Sequence, residues 1–269
     1  MPEKLIRFVQ TGFMEEKTTY RYFTELSFDG TRYHGWQIQP NSLSVQQTLS
    51  EAASTVLREE ISFTGCGRTD TGVHAENYTA HFDTKFSPEQ LKETDLVYKL
   101  NRMIPADVAV HNIRLVKADA HARFSALSRS YIYFICTRKD PFWVNRAWLM
   151  ERDLDFDAMQ KAARLLFSFN DFEAFTKVNT QVNHFRCRVM EAGWTQEDHI
   201  WKFHIKADRF LRNMVRAIVG TITNVGLGKI DLHQLEEIIK SKNRSNAGYS
   251  VPGCGLYFMG AEYPPEIYL

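Results

Sequence analysis

Two β-prone runs, residues 61–66 and 77–84, flank nine residues that fit a turn far better than a helix: Gly67-Arg68-Thr69-Asp70-Thr71-Gly72-Val73-His74-Ala75. The runs read as strands, so the chain must build a sheet, and the turn between them hangs at its mouth. Gly67 and Gly72 allow backbone angles that would strain other residues, which lets the turn hold the Asp70 side chain over a cleft. If Arg68 keeps the period of two, it shares a face with Asp70 and sets a cation beside a carboxylate. A plainer reading stands beside this one, because an aspartate between two threonines often bonds its own backbone.

The rest of the chain supports a mixed architecture. Strands are expected at 20–29, 60–66, 77–84 and 108–116, with helices at 45–57 and 87–103. A second series has a strand at 130–137, a helix at 156–167 and a hairpin at 186–207 turning near Glu197-Asp198. Helices at 211–225 and 231–240 and a strand at 255–263 complete it. Strands mixed with helices without strict alternation indicate α+β with largely antiparallel sheet. No low-complexity linker separates the series, so two similar lobes, 1–115 and 116–269, are expected to share a surface and meet at a cleft near residues 115 to 120.

Composition narrows the functional classes. The 269 residues are 44% hydrophobic and 13% aromatic, too much packing material for a disordered chain, and no apolar run is long enough for a membrane span. Residues 1–17 lack the apolar stretch of a signal peptide, which makes a reducing cytoplasm the default expectation. Cys66, Cys136, Cys187 and Cys254 form no C-x-x-C pair and read as buried thiols, and the nine histidines form no ligand spacing, so no metal site is expected.

The net charge of +1 means that any polyanion site must be local. Between His121 and Arg146 lie Arg123, Arg129, Arg138, Lys139 and Arg146 against one acid, Asp140, with Phe124, Tyr131, Tyr133, Phe134, Phe142 and Trp143 interleaved. Cations among aromatics suit phosphates and unstacked bases, and equally suit a solvated strand edge. On a helical wheel, Arg209, Arg212 and Arg216 fall opposite an apolar arc containing Leu211, Met214, Val215 and Ile218. Tyr131 and Tyr133 share a strand face, and residues 28–40 form a turn-rich aromatic loop ahead of a Ser44-capped helix.

Taken together, FDGTRYHGWQIQP with SVQQTL, GRTDTGVHA, HARFSALSRSYIYF, DFEAF, DRFLRNMVRAIVG and GLYF closely resemble the tRNA pseudouridine synthase A family, in family order over nearly the whole chain. The resemblance implies a shared sheet with a central cleft, a homodimer and no metal or organic cofactor. It implies tRNA as partner, with uridines 38, 39 and 40 on the 3′ side of the anticodon stem-loop as targets. Asp70 matches the catalytic aspartate, Arg68 the arginine that extrudes the target base, Tyr131 the ring that stacks on it, Arg216 the partner of the aspartate, and Leu256 an apolar contact to the base. Arg123, Arg129, Arg138, Lys139, Arg209 and Arg212 are the candidate RNA-binding cations. Phe28 and His34 stand where tyrosine is common, Thr71 where alanine is common, and Ser128 interrupts a basic pair.

The chemistry asks for these residue types. Isomerising uridine breaks an N-glycosidic bond, turns the freed uracil and rejoins it through carbon, so one ionised carboxylate with a guanidinium partner can suffice. Extracting the base from its stack costs a few kcal/mol and calls for a wedge and a stacking platform. Tyr131 is in addition a catalytic candidate for taking the C5 proton, although a phenol is a weak base until deprotonated. Two other classes stay in view. A glycosidase would need a second positioned carboxyl, for which only Glu76 and Asp83 lie near the motif. A non-catalytic RNA-binding protein would be expected to have lost Asp70 or Arg216.

Overall fold

The computed structural model describes residues 18–177 and 183–269, and among them the chain forms nine strands and six α-helices. The first series is β1 (Tyr20–Phe28), α1 (Val45–Leu57), the short β2 (Thr64–Gly65), β3 (His74–Thr84), α2 (Pro88–Thr94), α3 (Leu96–Met103) and β4 (Val108–Val116). The second is β5 (Ser128–Cys136), the short β6 (Trp148–Leu149), α4 (Phe156–Leu165), β7 (Val189–Glu197), β8 (Ile200–Ala207), α5 (Met214–Gly226), α6 (Leu232–Lys240) and β9 (Leu256–Glu262). No described helix is long and apolar enough to cross a membrane.

One mixed sheet runs β4-β1-β3-β9-β5-β8-β7. Along that path every pairing is antiparallel except the central one, where β3 and β9 join in parallel through His74 with Tyr257 and Ala75 with Phe258. The chain's last strand therefore closes the gap between its two series. Two apolar clusters form around this seam. Leu26, Leu49, Phe63, Tyr78 and Leu100 belong to the first, and Tyr133, Met159, Phe203, Met214 and Ile218 to the second. Tyr131 packs against both, which puts its ring at the seam.

Several helix ends form as their caps predict. Ser44 accepts from the Gln47 N–H at the start of α1, and Asp231 and Gln234 close a capping box on α6. Elsewhere tertiary partners override the local pattern. The strand expected at 60–66 contracts to β2, because side chains of α1 take its backbone groups: Ser54 Oγ accepts from Ile61 N–H at 2.9 Å, and Gln46 donates to the Phe63 carbonyl at 2.7 Å. The helix expected at 87–103 divides at Asp95, which adopts φ 50°, while Asn101 of α3 pairs with both backbone groups of Val110 on β4. β3 starts at His74, so the end of the glycine-flanked motif is already strand.

The helix expected from residue 211 starts only at Met214, after Asn213 at φ 68°. Upstream, the Asp208 carboxylate accepts from the backbone N–H groups of Arg188 and Arg209, at 2.8 and 2.7 Å, holding this segment as a loop. Arg209 and Arg212 therefore lie off the helix, and the three-arginine helix face expected from the wheel does not form.

Candidate active site

The turn carrying Asp70 is clamped from two sides. Thr69 points inward, and its hydroxyl accepts from the Trp36 N–H at 3.0 Å, while Gly72 N–H donates to the Tyr33 carbonyl at 3.2 Å. Both contacts come from the aromatic loop at 28–40, whose role is thus to hold the turn. Gly35 in that loop has φ 92°, and a Cβ there would overlap the Thr69 carbonyl oxygen. Gly72 also needs its glycine, at φ 76°, whereas Gly67 has ordinary backbone angles and open space where a Cβ would sit. On the other side, Tyr133 donates to the Pro252 carbonyl at 2.9 Å, and Gly253 lies so close to the Thr71 carbonyl that a Cβ there would collide.

So held, Asp70 does not fold back on its own backbone. Among the described residues its carboxylate has one partner, Arg216, whose Nη1 donates to Oδ2 at 2.9 Å. The two side chains are 29% and 19% exposed, accessible to a ligand yet shielded enough for charge to matter. Arg216 lies in the first turn of α5, whose other faces are buried in the second cluster. Its Nε donates to the Val251 carbonyl at 2.7 Å, which fixes the fork before it reaches Asp70.

The pair opens into a cleft of about 760 Å³ that is also lined by Arg68, Tyr131 and Leu256. That volume is in the range of small-ligand sites. Tyr131 lies opposite Phe258 in the β5–β9 register, and its ring meets Phe258 and Phe210 edge-on, with centroids 5.2 and 5.0 Å away. Burial pushes the Tyr131 phenol well above its ordinary pKa, so at neutral pH it is an uncharged aromatic wall. Phe210, Phe258 and Met214 also line the cleft, though sequence reasoning assigned none of them a site role and read Met214 only as part of an apolar helix face. Apolar residues of this kind carry no local signal that separates cleft from core.

Among the described residues, six arginines line the cleft against a single carboxylate, Asp70. They divide by what they hold. Arg68 and Arg212 have no protein acceptor among the described residues, and Arg209 faces the His184 ring at 3.1 Å. Arg123 is pushed to a lower pKa by burial and then by Arg68, Arg129 and Arg209, as expected where cations crowd together. Arg129 is directed into the protein, donating to the carbonyls of Ala126, Asp208, Cys66 and Arg123. Arg138 and Lys139 are not brought to the cleft. They follow the far end of β5, where Arg138 pairs with Asp198 at 2.9 Å.

Neither Glu76 nor Asp83 lines the cleft, and Asp83 is engaged by Arg21 through two bonds of 2.7 Å. Among the described residues, the cleft lining therefore holds no second carboxyl of the kind a paired-carboxylate hydrolase needs.

The family described as tRNA pseudouridine synthase matches residues 162–264, a span that contains Arg216 and Leu256. The tRNA pseudouridine synthase A of Bacteroides fragilis is 49% identical over 249 residues, which cover 92% of this chain and 98% of that protein. The proteins of the same name from Porphyromonas gingivalis and Acetivibrio thermocellus are 46% and 37% identical, covering 93% and 88% of this chain and 99% and 97% of their own lengths. With identity of this order carried over nearly the full length of the chain, it belongs to the tRNA pseudouridine synthase A family.

Proposed function

We propose that the protein isomerises uridine to pseudouridine in tRNA, at positions 38, 39 and 40 on the 3′ side of the anticodon stem-loop, with Asp70 as nucleophile. As a member of its family it is an enzyme of the isomerase class. The observation that carries the residue assignment is the Asp70–Arg216 pair: one carboxylate, held by a guanidinium, in a cleft whose lining includes five further arginines and the rings of Phe124, Tyr131, Phe210 and Phe258. A carboxylate so paired is kept available to attack, and the surrounding cations suit a phosphate backbone.

In this reading the target uridine leaves its stack, Arg68 fills the space it vacates, and the base enters between Tyr131 and Leu256. Asp70 attacks the uridine as the N1–C1′ bond breaks, and the apolar walls keep water from the freed uracil. The base turns and bonds to C1′ through C5, releasing Asp70 and giving up the C5 proton to solvent. Arg216 holds the carboxylate in line. Arg123, Arg209 and Arg212 contact phosphates, whereas Arg129 keeps their loops in position. The proposal includes two lobes, 1–115 and 116–269, a homodimer and a cytoplasmic location.

The test is release of tritium from tRNA carrying uridine labelled at C5. Isomerisation expels that hydrogen, and neither binding nor glycosidic hydrolysis does. Substrate tRNAs with uridine replaced singly at positions 38, 39 and 40 assign the targets, and loss of label from elsewhere would reject those positions.

A further inference from the structure

Phe124 stands at the lip of the cleft with 75% of its surface exposed, an unusual place for a large apolar ring in a chain that buries most of its others. Its loop is firmly held. Ala122 N–H donates to His81 Nδ1 at 3.1 Å, and Arg123 N–H donates to His121 Nδ1 at 3.0 Å. Tyr263 donates to the Ala122 carbonyl at 2.6 Å, Arg21 to the Ala120 carbonyl at 3.0 Å and Arg129 to the Ala126 carbonyl at 3.2 Å. Both imidazoles can accept because burial, the largest cause in each, lowers their pKa, that of His81 to about 4.

The Phe124 ring itself has two supports. The His121 ring lies against it with centroids 4.4 Å apart, and the Arg123 guanidinium sits 5.5 Å from its centroid. Three-quarters of its surface stays open all the same, on the cleft that Arg68, Arg209 and Arg212 also line. A rigid, exposed ring among cations is what an unpaired base needs: a flat apolar surface that loses little freedom on binding, with phosphate partners within reach.

We propose that Phe124 is a stacking platform for an unpaired tRNA base other than the target, a neighbour that stays at the cleft mouth while the target reaches Tyr131. This rests on the proposed tRNA reading and extends it, since it gives the enzyme a hold on the nucleotide next to the reacting one. His81 and His121 act as positioning residues for that platform.

The experiment compares Phe124→Ala, Phe124→Leu and Phe124→Trp in the full-length protein, using tRNA binding by filter retention and C5 tritium release, with melting curves to check the fold. Stacking requires Phe124→Ala to weaken tRNA binding about tenfold and to raise KM in parallel, with kcat at saturation held within roughly twofold. Phe124→Leu should resemble Phe124→Ala, Phe124→Trp should bind like the wild type, and the salt dependence of binding should be unchanged in all three. Wild-type binding by Phe124→Ala or Phe124→Leu overturns the proposal. If the wild-type enzyme itself releases no tritium, the function proposed above fails, and the binding series still decides whether Phe124 stacks on RNA.

Discussion

The Asp70 carboxylate and the Arg216 guanidinium, 146 residues apart in the chain, meet at 2.9 Å across the central seam of the sheet. Each comes from a different packed unit. Asp70 rides on a turn clamped by the aromatic loop of the first series, and Arg216 on a buried helix of the second. β9, docked in parallel beside β3, joins the two series between them.

Asp70→Asn keeps the shape of the side chain and removes the proposed nucleophile. Turnover should fall by at least about three orders of magnitude while melting temperature and tRNA affinity stay close to wild type. Residual activity above a few per cent, with deamidation excluded by mass spectrometry, would sink the assignment.

Arg216→Lys retains a charge but lacks the fork that reaches both Val251 and Asp70. A kcat loss of roughly 100-fold is expected for Lys and more for Arg216→Met, with a smaller change in KM. Equal activity in Arg216→Lys and the wild type would show that only charge matters.

Gly35→Ala should destabilise the protein by about 2 kcal/mol or more, from the left-handed backbone and from contact with the Thr69 carbonyl. Gly67→Ala, with open space around it, should be tolerated. Urea denaturation of the two variants measures the contrast, and similar midpoints would refute it.

Acid should weaken the loop beneath Phe124. Burial, with help from Arg21 and His121 and against Asp83, lowers the His81 pKa from 6.5 to about 4. The unfolded chain takes up a proton below about pH 6.5, while the folded chain resists until about pH 4, so stability is full above this window and declines as pH falls through it. The decline is at most roughly 3 kcal/mol. His81→Asn keeps an acceptor for the Ala122 N–H and should lose less stability than the wild type between about pH 7 and about pH 4.5. Parallel declines in urea titrations would contradict this.

The cleft arginines and the strand-end cations should separate by salt. Replacing Arg68 and Arg212 together by Gln should make the slope of log affinity against log salt shallower by about 1 to 2 units. Arg138→Gln with Lys139→Gln should change it less, because Arg138 is engaged by Asp198 outside the cleft. The opposite order would move the tRNA path toward the strand end.

Local chemistry determined much of this protein before any fold was known. The cap residues Ser44 and Asp231 set helix starts, and β-prone runs marked β1 and most of β3, because those signals act within a few residues. The glycine-flanked turn marked Asp70 for the same reason. Tertiary structure decided the rest. Ser54 and Gln46 took the backbone of an expected strand, Asp208 kept Arg209 and Arg212 off the helix, and Arg129, read as a phosphate contact, turned inward to four carbonyls. These outcomes depend on which groups arrive within hydrogen-bond reach once the chain packs, and the joining of the two series rests on the parallel pairing of β3 with β9, a contact between segments about 180 residues apart that no local pattern encodes.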